Sequence, residues 1–263
     1  MRAGASALPE ADPAAPPTLA DAAKVVAWAL IFWGGEVVAA SVFERNALAM
    51  AAAQAGLAEW AAGRLAIPWS DPGAPVPSWK AIGRRVQLGL GLGFGCALAV
   101  VVLAVVLRGA SVRSGSFAAA GLVLGALVAG LGAIRDELLL RGVVIRATRL
   151  LPKQLTLLAC ALAAVAARLG IDGHPSLALL PEALKGAALG ALWLLDRGAW
   201  MPCAANAAWT WSTGPAAQGD LLDVRFVQGH AEMVATSVVL VAAAAMAGAR
   251  ALGVRTSRRR GAA

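Results

Sequence analysis

Asp136, Glu137 and Arg141 arrive within six residues, directly after a run from Phe117 to Ile134 that carries no charge. At helical pitch Glu137 and Arg141 are i and i+4, so acid and guanidinium share one face and can pair. Asp136 lies about 100° round the helix from Glu137, close enough to point into the same bundle interior. Ionisable groups at membrane depth are expensive, and they face cavities where they mark chemistry or a transport pathway. A plainer alternative stands beside this one. Eighteen apolar residues make a span of about 27 Å, and Arg135-Asp136-Glu137 is then its solvated end.

Two further segments carry polar groups that could join the acids. Asp136 lies sixteen residues before Pro152 and Arg168 sixteen after it. In an antiparallel helix pair turning at Pro152 these positions come level, about 24 Å along the helices from the turn. Asp136, Glu137, Arg141 and Arg168 together sum to zero charge, which is how buried charges are tolerated. Alternatively Arg168 snorkels to the interface. In the stretch Trp200-Met-Pro-Cys-Ala-Ala-Asn206-Ala-Ala-Trp209-Thr210-Trp211, Asn206 and Thr210 are again i and i+4 and share one face. That face serves a site, or it serves helix packing, where small and amide residues act as glue.

The elements that must position these groups are membrane helices. The 263-residue chain is 59% hydrophobic and only 14% charged, against roughly 25% charged for a soluble domain. Its net charge of +8 reads as membrane orientation rather than nucleic-acid binding, since no basic patch is interleaved with aromatics. Cys96, Cys160 and Cys203 lie far apart in apolar segments and read as small buried hydrophobes, not a disulfide framework. His174 and His230 are the two histidines.

The pattern predicts a disordered Ala/Pro-rich tail over 1–23 without the features of a secretory signal. A polytopic domain follows over 24–250, then a basic cytoplasmic tail over 251–263. Helices are expected at Val25–Val42, with Glu36 an odd charge inside it, and at Ala47–Ile67. That second helix carries Gln54, Glu59 and Arg64, and either spans or lies in the interface. Ile67–Ser78, with four prolines, is a loop. Trp79–Arg85 is a basic lead-in to a span at Leu88–Leu107. Phe117–Thr148 reads as one long helix, followed by Gln154–Arg168, Leu179–Leu195, Ala199–Ser212 and Ala231–Ala249. Glu182 and Lys185, at i and i+3, form a local pair. The fold class is thus an all-α bundle of about eight transmembrane helices. The basic clusters at Lys80–Arg85, Arg146–Lys153 and Arg258–Arg260 place both termini in the cytoplasm.

The heptapeptide Asp136-Glu-Leu-Leu-Leu-Arg-Gly142 resembles the Glu-Glu-x-x-x-Arg-Gly signature of the CPBP (ABI) family of intramembrane proteases, which includes the CAAX prenyl endopeptidases. The later order is similar too, with a helix at the place of Phe-x-x-x-His and then Trp200-Met-Pro202 opening a helix at the place of Trp-x-Pro-x-x-x-His-x-x-x-Asn. The resemblance covers about Phe117–Thr213. It implies that Glu137 activates water for attack on a peptide carbonyl, with Asp136 its acidic partner and Arg141 a structural counter-charge. The chain departs from the family pattern at four places. Arg168 and Asn206 stand at the two motif histidines, Ala164 at the phenylalanine, and Thr210 at the asparagine. Arg168 and Asn206 would then act as oxyanion donors. With both motif histidines replaced, no metal or other cofactor is expected.

The function so implied is an endopeptidase of the glutamic type, cleaving a membrane-anchored protein or peptide in or near the bilayer. The alternative is a catalytically inactive relative that keeps the fold to bind a membrane segment. A small transporter is a third class, though no internal repeat supports it. Richness in Ala, Gly and Arg without Tyr associates the chain with a GC-rich bacterial genome, and hence with an inner membrane.

Overall fold

The computed structural model describes residues 18–70, 77–172, 176, 179–227 and 229–253. Helix α1 (Leu19–Val42) starts six residues before the expected Val25, because Thr18 and Asp21 form a reciprocal capping box that satisfies the first free amides. The expected tail over 1–23 is therefore shortened, and its residues 1–17 lie outside the described residues. Helix α2 (Ala47–Arg64) is capped by Asn46, and α3 (Trp79–Val106) by Ser78. The basic lead-in and the following span are thus one continuous helix.

The long helix expected at Phe117–Thr148 is interrupted. Helix α4 (Ala119–Arg135) passes into a π-helical turn over Asp136–Gly142, and α-helical pitch resumes in α5 (Val143–Ala147). Such i→i+5 turns are rare, and they cluster at functional sites. Helices α6 (Lys153–Asp172), α7 (Leu179–Asp196), α8 (Trp200–Thr213) and α9 (Gly229–Ala251) complete the bundle.

The helical class holds with one addition. Strands β1 (Ala110–Ser114) and β2 (Leu222–Phe226) pair antiparallel, Ala110 opposite Phe226 and Ser114 opposite Leu222. Both fall in the connections between the expected helices, where five-residue strands in an otherwise helical chain give little periodic signal. The pair clasps one end of the bundle. At the other end the Lys153 ammonium donates to the Ala251 carbonyl at 3.0 Å, and Arg149 lies 3.8 Å from Asp21. The start of α1 and the end of α9 therefore meet at the same end as the α5–α6 turn.

Helix α8 packs between α3 and α4, while α7 lies against α6, α8 and α9. Gly89 and Gly93 permit the closest approach. A Cβ at either would come within 2.3 Å of a carbonyl oxygen of α8, Met201 and Ala205 respectively. Small residues one turn apart at a helix contact are the membrane route to close packing. Among the described residues three helices are long and apolar enough to cross a membrane: α1, α3 and the Ala231–Ala251 part of α9. Their outward faces, with Leu30, Ile31, Val37, Leu98, Val102, Val238 and Met246 exposed, present to the surroundings what a lipid-facing helix requires.

Candidate functional site

Glu137 sits in the middle of the apolar core rather than in a hollow. The π turn carries it against α7, where its side chain has no solvent exposure. One carboxylate oxygen (Oε1) accepts from Arg141 Nη1 at 2.5 Å, and the other (Oε2) from the indole Nε1 of Trp193 at 2.9 Å. Arg141 is likewise enclosed, at 3% side-chain exposure, and its Nε has no hydrogen-bond partner. Leu138, Val143, Ile67, Ala199 and Cys203 belong with Trp193 to one buried apolar cluster. Gly142 is what lets Ile67 and Trp193 approach. A Cβ there would lie 2.6 Å from Ile67 Cγ2 and 3.5 Å from Trp193 Cζ2.

The expected i,i+4 pair therefore forms, and it comes with a third member that spacing alone does not reveal. Trp193 lies in the last turn of α7, three residues before Asp196, where an indole reads equally well as interfacial. It also follows Gly186 and Gly190, which bring α7 against Cys160 and Ala164 of α6. A buried indole N–H needs an acceptor, and this pattern was the available sign.

Asp136 turns the other way. Its carboxylate accepts from Arg135 Nε at 2.8 Å and Nη2 at 2.6 Å, and the two side chains are about a third exposed. Arg135 reaches on to Gln54 of α2, donating to Oε1 at 3.1 Å, and Gln54 Nε2 lies 3.5 Å from the Glu36 backbone carbonyl. Asp136 and Glu137 were expected to share one interior. Adjacent helical positions diverge too far for that here, and each acid finds its own arginine.

The remaining expected members are dispersed. Arg168 is exposed on α6 and lines a cavity of about 600 Å³ with Phe94, Glu182, Trp209 and Trp211. Glu137 and Asn206 do not line that cavity. Asn206 is buried, at 1% exposure, in the α8 packing face, with its Nδ2 unpartnered. Thr210 is exposed, so it does not join Asn206 in the interior. Among the sequence-derived candidates the structure unites Glu137 with Arg141, and leaves Asp136, Arg168, Asn206 and Thr210 in four other surroundings.

Glu182 and Lys185 pair at 2.8 Å as expected. The turn into α8 is held by Asp196, which takes Arg85 Nε at 3.3 Å and the Met201 amide at 3.0 Å. Trp69 covers this turn, its ring lying tilted against that of Trp200 with centroids 4.6 Å apart and its backbone carbonyl accepting from the Ala199 amide. Cys160 and Cys203 are buried free thiols. No group of three or more His, Cys, Asp or Glu able to hold a metal occurs among the described residues. His174 lies outside them. Compared with models of protein families, with curated proteins and with solved structures, the chain matches none of them.

Proposed function

We propose that the chain is a polytopic membrane protein of about eight spans, resembling the CPBP type, that binds a membrane segment of a partner protein without cleaving it. The observation that carries this reading is the state of Glu137. A general base must reach the proton it abstracts, directly or through one water. Glu137 has no exposed surface, and both its oxygens are already bonded. Its pairing with Arg141 and Trp193 suits a fixed joint between the π turn and α7. The groups that would complete a peptidase site, Arg168 and Asn206, face a separate cavity and the α8 packing face. The cavity of about 600 Å³ beside Arg168, walled by Phe94, Leu98, Val101 and Trp209, supplies a surface on which an apolar segment can lie.

One observation favours a second reading as an endopeptidase. Asp136, unlike its neighbour, is about a third exposed, so it is the motif carboxylate that water reaches, and Asn206 Nδ2 is a donor without an acceptor. The test is a processing assay in proteoliposomes, with membrane-anchored proteins encoded beside this chain as substrates and mass spectrometry as readout. Binding without catalysis predicts intact substrates with wild type and with D136N alike, together with cross-linking from a photoreactive residue placed at Leu98. Cleavage by wild type that D136N abolishes would overturn it in favour of the peptidase.

A further inference from the structure

Glu36 is the least explained charged residue of the bundle. It stands six residues before the end of α1, about 9 Å along the helix, inside a span apolar enough to cross a membrane. It is 6% exposed, and its Oε1 has no hydrogen-bond partner. The groups facing it come from the elements packed on α1. Helix α2 brings Gln54, whose Nε2 is turned to the Glu36 backbone carbonyl and whose Oε1 accepts from Arg135. Arg135 at the end of α4 and Asp136 at the start of the π turn are the charged neighbours. Helix α5 also touches α1, but its Arg146 lies with Asp21 at the opposite end of that helix.

Charge matching within this set is uneven. The Arg135 guanidinium is spent on Asp136 through both Nε and Nη2, which makes that pair neutral. Glu36 is then a second acid with no base assigned to it. An ionised carboxylate held from water without a partner is far costlier than a neutral acid that misses one hydrogen bond. We propose that Glu36 is a proton-binding site, its carboxyl holding one exchangeable proton in the folded protein so that Glu36, Gln54, Arg135 and Asp136 together are neutral. Loss of that proton to water converts the carboxylic acid to carboxylate and leaves two anions for one guanidinium. Arg135 is then drawn between Asp136 and Glu36, which links the state of α1 to the π turn. Arg135 and Asp136 are the members of this set that reach the surface, each side chain being about a third exposed. This inference is independent of whether the protein cleaves or binds.

The measurement is infrared spectroscopy of the full chain in lipid vesicles at neutral pH. The wild-type minus E36Q difference should contain a carboxylic-acid carbonyl band, and raising the pH should convert it to carboxylate bands. In D136N the Arg135 charge is released for Glu36, so the acid band should be lost even at neutral pH. A wild-type minus E36Q difference showing carboxylate bands alone would overturn the proposal, as would an acid band unmoved by D136N. An E36Q chain that fails to insert also overturns it, because a neutral isostere must be accepted where a neutral acid stood.

Discussion

Replacing Glu137 by glutamine isolates what its charge does. The amide keeps the shape of the side chain and can still accept from Trp193 through its carbonyl oxygen. What it removes is the counter-charge of Arg141, a guanidinium 3% exposed whose Nε already lacks a partner. Removing one member of a buried ion pair costs about 3–5 kcal/mol, most of it the orphaned charge. That corresponds to roughly two to four orders of magnitude in the unfolding equilibrium. Replacing both members with apolar residues of similar volume, as in Glu137→Leu with Arg141→Met, should recover most of that loss, since such swaps are often neutral or stabilising. Trp193→Phe, which deletes one hydrogen bond to a charged group, should cost about 1.5–3 kcal/mol. Denaturant titration of the detergent-solubilised protein, followed by tryptophan fluorescence, measures all three. If E137Q were as stable as wild type, or the double variant no better than E137Q, the assignment of this pair as a structural joint would fail. Undiminished stability with lost proteolysis would restore Glu137 as a base.

Other expectations rest on separate parts of the bundle. At the α3–α8 contact, Gly93→Ala should destabilise by about 1–3 kcal/mol through overpacking, while Gly91→Ala, whose Cβ meets nothing within 4 Å, should be neutral or gain up to about 1 kcal/mol of helix propensity. The pair can be compared by thermal melting in the same detergent, and equal effects would refute the close approach. Asp196→Ala removes both an ion pair to Arg85 and a bond to the Met201 amide, with an expected loss of about 1–3 kcal/mol. An unchanged melting midpoint would show that the α7–α8 turn is held by Trp69 and Trp200 alone. Cys160 and Cys203 are buried and Cys96 is only partly so. A small maleimide should therefore label Cys96 first and the others only on unfolding, read by peptide mass mapping.

How much the sequence disclosed depends on the kind of signal each residue carries. The Glu137–Arg141 pair was legible because i,i+4 spacing puts both charges on one helical face, and the pair forms even though a π turn replaces α-helical pitch there. The Glu182–Lys185 pair followed the same local rule. Helix positions were legible from long apolar runs, and their ends less so. Thr18 and Asp21 moved the start of α1 outward through a capping box whose residues sit amid Ala and Pro. The dispersal of Arg168 and Asn206 away from Glu137 was not legible, because the rotation of each helix about its own axis is a tertiary property that spacing does not encode. The depth argument that levels Asp136 with Arg168 fixes height along a helix pair but says nothing of which way either side chain turns. Trp193 was missed because its role rests on a hydrogen bond across fifty-six positions. Glu36 and Gln54 were singled out as odd polar residues in apolar helices, and their connection through Arg135 needed three helices to be placed.

The clasp between β1 and β2 has a bearing on how such a chain is built. Its two strands bracket α4 through α8 in the sequence, so synthesis delivers the first strand long before its mate exists. Until Leu222–Phe226 emerges, Ala110–Ser114 is an unmatched edge and the rim it will close stands open. Every helix from α4 to α8 can therefore settle against its neighbours before the rim is fastened. A chain cut short before residue 222 would lack both this fastening and α9, which packs along α7, the helix that carries Trp193.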